Sequence, residues 1–359
     1  MKKQPKKKFV AAAAAALACM MLFSGCGWIN KKAALVTIEN GDETDEIRLG
    51  YGNFLARYNQ ALYDQMYRSM YGDTMWDTDL TGSGNTMEED VKDDVLKQIE
   101  TQYVSAKHAS DYGISLSDED KSAIKKAAKQ FMSDNSEEAL DQMGATESLV
   151  EQMLRWETYS YRVKQAIRAQ ADTTVTDEES VQSTFSYVLF STASTDTDDD
   201  GNAVTLTDDQ IAALKQQAQT VADAADFDAA AEAAGAEVQT YSYTASEDAN
   251  ADSTFDPAVI NAANVLSDGQ TSGVIEVDGE GFYVLRMDQK RDEDATASKV
   301  TELQEKKEDD YYNSVIEGWE DDITWTVHDR QWKKVKFDSL FENTVTENAS
   351  SQTSDSSEE

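Results

Sequence analysis

The residue types that most often carry out chemistry are scarce in this chain. Its 359 residues include only two cysteines and two histidines, and the histidines, His108 and His328, are far apart in the sequence. A structural zinc site normally takes four Cys or His ligands. A Ser–His–Asp triad would be expected with a Gly-x-Ser-x-Gly elbow, and neither histidine is accompanied by one. We therefore predict that both histidines are ordinary surface residues or side chains with satisfied hydrogen bonds.

One acidic stretch resembles the start of a calcium-binding loop. Asp196–Gly201 reads DTDDDG, with acids at positions one, three and five and glycine at position six. Position twelve is Thr207, where the loop requires a glutamate that binds through both oxygens. We interpret the stretch as an acidic linker before a helix, with calcium binding left open as the alternative.

The chemistry best supported by its surroundings is lipidation of Cys26. Five lysines within the first eight residues precede an apolar run from Phe9 to Phe23, and Ser24-Gly25 then precede Cys26. A charged start, a short apolar run and small residues before a cleavage point are typical of an export signal. The run is shorter than the roughly 20 residues that span a bilayer. The cysteine after the cleavage point resembles the lipobox of bacterial lipoproteins, which predicts a diacylglyceryl anchor on Cys26.

Net charge and cysteine content limit the class of protein further. Removal of the five signal lysines leaves 27 Lys and Arg against 69 Asp and Glu, a net charge of −42. Such a surface repels nucleic acid and anionic lipid, and it favours solubility and cationic partners. With Cys19 removed in the signal and Cys26 carrying lipid, an intramolecular disulfide is excluded. The exported protein must therefore be stabilised by ordinary apolar cores.

The first half of the mature chain has a helical pattern behind a small hairpin. The hairpin covers Leu35–Leu49, with a turn at Asn40-Gly41. Apolar residues at helical spacing, together with capping residues, then predict five helices. These are a long helix through Phe54–Met70, then Glu88–Tyr112, a helix from Ser117 to Met132, Ser136–Met143 and Glu147–Ala171.

The pattern changes near Thr173 to that of an α/β unit of about 110 residues, within the usual size range of a domain. Strand-like and helix-like segments alternate in the order strand, helix, helix, strand, helix, strand, strand. The segments are Phe185–Phe190, Thr207–Ala225 behind a capping box, Phe227–Ala234, Glu237–Tyr243, Pro257–Val265, Val274–Val277 and Gly281–Arg286. Helix returns over Lys299–Trp319.

Several short motifs in this unit resemble those of the parvulins, a family of prolyl isomerases. Ala225–Ala231 reads ADFDAAA, similar to the family's "ADF..LA". Pro257–Gly273 follows a family pattern like "PEFEDAAFALKPGEIS", and Gly281–Arg286, GFYVLR, is similar to the closing "GYHIIK". The whole chain, over about residues 33–340, resembles PrsA-type foldase lipoproteins and, more distantly, SurA-type chaperones. In these proteins a helical chaperone domain flanks the parvulin domain.

The resemblance also implies where an active site would lie. Parvulins carry histidines in their first and last strands, where this chain has Tyr187 and Tyr283. Phe255 and Val259 would stand in for the apolar residues that hold the proline ring, Asn264 takes a third, usually aromatic position, and Leu266 belongs to the same motif. Tyrosine hydroxyls could donate to a twisted carbonyl. The alternative is that Tyr187 and Tyr283 form a stacked pair in a degenerate domain without isomerase activity.

The first long helix carries more aromatic and methionine side chains than one buried face requires. Tyrosines at 51, 58, 63, 67 and 71 spread around it, and methionines lie among them. Met and Tyr adapt to varied apolar partners. We therefore predict that some of these residues, Tyr58 and Met66 among them, line an exposed groove that binds clients. The alternative is that they form an ordinary helical core.

Together these observations predict an α+β protein, a mostly helical chaperone domain with an inserted, degenerate parvulin-like domain. The expected segments are a signal peptide (1–25), the helical domain (26–172), the parvulin-like domain (176–291), a C-terminal helix that packs back on the helical domain (296–342) and a disordered acidic tail (343–359). The expected function is that of a cofactor-free, lipid-anchored extracytoplasmic chaperone for unfolded exported polypeptides, with no nucleic-acid partner. An active prolyl isomerase and a structural or solute-binding surface lipoprotein remain as alternatives.

Overall fold

The computed structural model describes residues 29–193, 206–246, 249–250 and 254–342. The predicted signal peptide, Cys26, the Asp196–Asp200 stretch and the tail 343–359 lie outside the described residues. The chain divides into two units, Met1–Gln170 with Tyr311–Glu359, and Ala171–Asp310. We call them the helical unit and the inserted unit, and each is described by itself.

The helical unit begins with the predicted hairpin and continues as helices. Strands β1 (Ala34–Asn40) and β2 (Glu43–Arg48) pair antiparallel around Gly41, whose positive φ of 58° suits a tight turn. Five α-helices follow, with 3₁₀ turns at Met75–Asp77 and Ala109–Tyr112. They are α1 (Leu49–Tyr71), α2 (Met87–His108), α3 (Asp118–Asp134), α4 (Glu137–Met143) and α5 (Glu147–Arg168).

The inserted unit has the predicted order of strands and helices, preceded by a single helical turn that was not predicted. The elements are α6 (Asp177–Ser180), β3 (Gln182–Ser191), α7 (Asp208–Ala222), α8 (Phe227–Ala233), β4 (Gln239–Thr244), α9 (Pro257–Val265), β5 (Ile275–Val277) and β6 (Gly281–Asp292). The four strands form one antiparallel sheet in the order β4-β3-β6-β5.

The C-terminal segment begins with α10 (Glu293–Asp321), which starts in the inserted unit and ends in the helical unit. In the helical unit it is followed by β7 (Thr324–Val327) and the short helix α11 (Asp329–Trp332). Strand β7 pairs with β1, with Val36 opposite Val327, and completes a three-stranded sheet in the order β2-β1-β7. This strand was not predicted, because nothing near it in the sequence forms its partner.

Capping side chains fix the helix starts where the sequence indicated them. The Ser117 hydroxyl accepts from the Asp120 amide at 3.1 Å, and Asp120 accepts from the Ser117 amide at 2.9 Å. Thr207 and Gln210 make the same reciprocal pair before α7. Such capping boxes satisfy backbone donors that a helix start leaves unpaired. Pro257 occupies the first turn of α9, as predicted.

Candidate functional site

Alternating residues on β3 and β6 give the inserted unit two apolar faces. Phe185, Tyr187 and Leu189 on β3 lie on the same side as Tyr283 and Leu285 on β6, where α9 covers the sheet. The intervening residues face a second cluster that includes side chains of α7 and α8. A strand's side-chain period of two therefore brings the predicted catalytic positions to one face.

Phe255 lies at the centre of an aromatic cluster on that face. Its ring centroid lies 5.0 Å from that of Tyr187, 4.8 Å from that of Tyr241 and 5.9 Å from that of Tyr283, each in an edge-on arrangement. Phe185 lies 5.8 Å away on the same side. Edge-to-face pairs at these separations are favourable. The cluster packs as a core in which Phe255 is nearly inaccessible to solvent.

Tyr187 and Tyr283 contact each other, but not as the stacked pair considered from the sequence. Their ring centroids are 6.1 Å apart and the planes are inclined by 41°. Both rings also pack edge-on against Phe255, so the three rings form one compact cluster. The hydroxyl of Tyr187 donates to Gln239, and that of Tyr283 donates to Glu280 Oε2 at 2.5 Å.

Both phenols are neutral at physiological pH. Burial raises the pKa of the Tyr187 hydroxyl above its usual value. Burial, followed by the hydrogen bond to the Glu280 carboxylate, raises that of Tyr283 further. Each hydroxyl donor is already engaged with an acceptor of the protein itself. To stabilise a twisted prolyl carbonyl, it would have to give up that bond, and the one from Tyr283 to a carboxylate is of the stronger, charge-assisted kind.

The predicted proline-binding positions lie on the same face and are largely filled by the protein. Val259 and Leu266 are buried in the cluster around Phe255. Asn264 is half-buried, and its Oδ1 accepts from the Tyr243 hydroxyl at 2.9 Å. The structure therefore brings five of these residues into one aromatic core and gives Asn264 a structural partner at its edge. Gln239, Glu280 and Tyr243, which satisfy the polar groups, were missed because no motif marks them.

The first helix, α1, contains a second candidate site because its two halves differ in burial. From Leu49 to Arg57 every residue is buried, as expected of a helix surrounded by protein. Beyond Asp64 the helix leaves the core, and Met66 and Met70 are 62% and 71% exposed. Tyr51 is buried and donates to Gln102 at 3.2 Å. The prediction that not all of these side chains are core is confirmed for the C-terminal half.

Three tyrosines of that exposed half form one wall of a groove. The rings of Tyr63 and Tyr67 are 5.5 Å apart, and those of Tyr67 and Tyr71 are 6.4 Å apart. The groove has a volume of about 300 Å³ and is completed by Met75, Leu80, Thr81 and Met87. We call it the tyrosine groove. Its second wall comes from the loop after α1, which the sequence analysis had treated only as a connection.

The structure does not bring Tyr58 and Met66 together. Tyr58 is half-buried and packs with Phe54 and Phe131, at centroid distances of 6.2 and 6.0 Å. Met66 is exposed on the half of α1 that carries the tyrosine groove. Tyr58 therefore packs against the core of the helical unit, whereas the Met66 side chain is exposed to solvent.

The two histidines belong to local contacts of the helical unit. His108 stacks on Trp319 at 4.2 Å and bonds Asp111, and His328 bonds the Thr37 hydroxyl at 2.8 Å. The prediction that they are satisfied residues is confirmed. Among the described residues, no three Cys, His, Asp or Glu side chains are grouped to hold a metal ion. Within the same ranges, no helix has the length and apolar character needed to cross a membrane.

Comparison with known proteins finds a family match within the inserted unit. Residues 201–302 match the family model of the PPIC-type PPIASE domain, the prolyl isomerase type to which parvulins belong. The parvulin resemblance is therefore confirmed over these residues. The predicted α+β fold class is confirmed, because the described residues combine a mostly helical unit with two small antiparallel sheets.

Solved structures of such foldases are similar to the chain at low identity. PrsA of Streptococcus pneumoniae is 18% identical over 70% of this chain and 96% of its own, with a TM-score of 0.28. PrsA of Bacillus cereus is 16% identical over 73% of this chain and 97% of its own, with a TM-score of 0.27. A SurA-like chaperone of Campylobacter jejuni is 10% identical over 66% of this chain and 88% of its own, with a TM-score of 0.24. No curated protein matches the chain.

Proposed function

We propose that this protein is an extracytoplasmic folding factor that binds unfolded exported polypeptides in the tyrosine groove and does not isomerise prolyl bonds. The observation that carries the proposal is the exposed apolar surface at the end of α1. Tyr67, Tyr71 and Leu80 are exposed in the groove itself. Leu62, Met66 and Met70 are exposed on the same half of α1. Contiguous exposed apolar surface marks sites of interaction. Methionine and tyrosine suit a site that must accept many different side chains.

The arrangement of the inserted unit supports a domain without catalysis. An isomerase needs an accessible apolar slot and free donors, because it must hold the proline ring while stabilising a twisted amide. Here Phe255, Val259 and Leu266 are core residues, and the hydroxyls of Tyr187 and Tyr283 are engaged. The match to the PPIC-type model favours an active isomerase as the second candidate. Its test is the refolding measurement described at the end of the Discussion.

Attachment to the membrane through Cys26 completes the proposal. It is supported by the cationic start, the short apolar run and the small residues before the cysteine. In a bacterial host, the Cys26→Ser variant is expected to leave the membrane fraction, because its diacylglyceryl acceptor is gone. Fractionation followed by immunoblotting measures this. If the variant stays with the membrane as completely as the parent chain, lipid anchoring at Cys26 is wrong.

Client binding is tested with a double variant of the groove. A permanently unfolded, fluorescently labelled basic protein (reduced lysozyme with its cysteines carboxamidomethylated) is titrated with residues 27–359 while anisotropy is recorded. Tyr67→Ser/Tyr71→Ser, which removes two exposed rings from the groove wall, is expected to bind at least tenfold more weakly. A tenfold change corresponds to about 1.4 kcal/mol, less than complete burial of two tyrosine rings would supply at about 25 cal/mol per Å² of apolar surface.

The matched control is Tyr161→Ser on α5, which removes a side chain that is 68% exposed outside the groove. It should bind as the parent chain does. All three proteins should unfold at similar urea concentrations, because exposed substitutions change stability little. Equal binding by the groove variant would place client binding elsewhere. Failure of the parent chain to bind any unfolded protein would overturn the proposed function.

A further inference from the structure

The loop wall of the tyrosine groove carries negative charge only. Between Gly72 and Val91 the sequence has six acidic residues and no lysine or arginine. The acids are Asp73, Asp77, Asp79, Glu88, Glu89 and Asp90. They come from the loop and the first turn of α2, which also supply Leu80, Thr81 and Met87 to the groove.

Two of these carboxylates are neutralised by cations and the others are not. Asp73 pairs with Arg68 at 2.5 Å, and Glu88 pairs with Lys92 and Lys336 at 3.3 and 3.1 Å. Within the part of the chain that the structure describes, the remaining four form no ion pair. These are Asp77, Asp79, Glu89 and Asp90.

Uncharged donors hold several of these carboxylates in place. Asp79 accepts from the amides of Gly82 and Gly84 at 2.8 and 3.0 Å. Asp90 accepts from the hydroxyls of Thr81 and Ser83 at 2.6 and 3.0 Å. The Thr81 hydrogen bond is the main reason that the pKa of Asp90 lies below its usual value. The loop therefore presents fixed negative charge beside an apolar surface.

The tyrosine wall also favours cations. Tyr67 and Tyr71 are exposed, and their rings line the groove. A lysine or arginine placed over an aromatic face is attracted by the negative potential of the ring. The long aliphatic stems of both residues can lie along apolar surface while the charge stays in water. Both walls of the groove therefore suit the same side chains.

We propose that the tyrosine groove selects client segments in which aromatic or aliphatic residues are flanked by lysine or arginine. This inference rests on the proposed function and names its preferred substrate. The strong net negative charge of the chain adds to the preference, since it repels acidic segments and attracts basic ones. The same repulsion acts between copies of this chain, which argues against a second copy as the occupant.

Three labelled 15-residue peptides test the inference with the chain from residue 27 to 359. Each has Phe or Leu at the same five positions, and the other positions are lysine, serine or glutamate. At 50 mM NaCl the lysine peptide is expected to bind at least tenfold more tightly than the glutamate peptide, with the serine peptide between them. At 300 mM NaCl the ratio should fall at least threefold, because salt screens exposed charges.

Two variants connect the preference to the loop. Asp79→Asn/Asp90→Asn should reduce the lysine-to-glutamate ratio at least threefold, and each Asn keeps an oxygen that can accept from the Gly82 amide or the Thr81 hydroxyl. Glu138→Gln/Asp141→Asn changes two exposed acids on α4 and should leave the ratio unchanged. Equal binding of all three peptides would overturn the charge preference and leave the proposed function standing. Binding of none would overturn both.

Discussion

Replacement of Arg57 by methionine is expected to lower the free energy of unfolding of the helical unit by roughly 3–5 kcal/mol, because it removes two hydrogen bonds from a charged donor, each worth about 1.5–3 kcal/mol. Arg57 is 2% exposed, and its guanidinium donates to the carbonyls of Lys336 and Ser339 at 2.7 and 3.0 Å. It also lies 5.2 Å from the ring centroid of Phe341. Methionine fills part of the volume but leaves both carbonyls without this donor.

The effect is expected to be large because the last described residues, 333–342 after α11, form a segment that depends on such contacts. Gln142 also donates to the Ser339 carbonyl at 2.7 Å, and Asp64 accepts from the Phe341 amide at 2.9 Å. The segment has no regular secondary structure, so side chains of α1 and α4 satisfy its backbone. Buried polar groups left without partners cost about 1–3 kcal/mol each.

Tryptophan fluorescence during urea unfolding measures this change in the helical unit alone, because residues 171–310 contain no tryptophan. The control is Arg155→Met, which removes an exposed arginine on α5. The control should shift the unfolding midpoint little. Similar midpoints for the Arg57 and Arg155 variants would show that the buried guanidinium does not hold the C-terminal segment.

Replacement of Phe255 by alanine is expected to destabilise the inserted unit by about 3–5 kcal/mol, the usual cost of removing a buried phenyl ring. Phe255 packs edge-on against Tyr187, Tyr241 and Tyr283. The cavity left behind would open the face that joins β3, β4 and β6. Hydrogen-exchange mass spectrometry should show faster exchange in β3 and β6, with exchange in α2 and α5 unchanged.

The control for this prediction is Val265→Ala at the end of α9, where the side chain is 79% exposed. It should leave exchange in the strands as it was. If Phe255→Ala also left exchange in β3 and β6 unchanged, Phe255 would not be a core residue. Its role would then be closer to that of a substrate-binding side chain, as the family resemblance alone implied.

How well the sequence predicted the fold depended on how local the stabilising contacts are. The strands β3 and β6 were predictable because alternation places Phe185 and Tyr187 on one face, whatever lies far away in the chain. Strand β7 was not, since its pairing with β1 joins Thr326 to Thr37 across almost the whole sequence. Strand formation depends strongly on such neighbours and only weakly on the strand's own residues.

The candidate sites were predictable to a similar extent. The order of the motifs placed Tyr187 and Tyr283 where parvulins have their two histidines. The structure brings the two tyrosines into contact. The engagement of their hydroxyls depends on Gln239 and Glu280, which no spacing rule identifies. Likewise, the helical spacing of the tyrosines and methionines was enough to select Met66 as an exposed side chain of α1. Leu80 was missed because it reaches the groove from an irregular loop, where side-chain direction follows no period.

The central claim is client binding without prolyl isomerisation. Its most direct test is the refolding of a protein whose slow phase is limited by a prolyl bond, with and without residues 27–359. The uncatalysed bond has a barrier of ~18–20 kcal/mol, which makes the slow phase easy to follow. We expect a higher yield of soluble product and an unchanged rate constant for the slow phase. A faster slow phase that Tyr283→Phe abolishes, or an unchanged yield, would contradict the account.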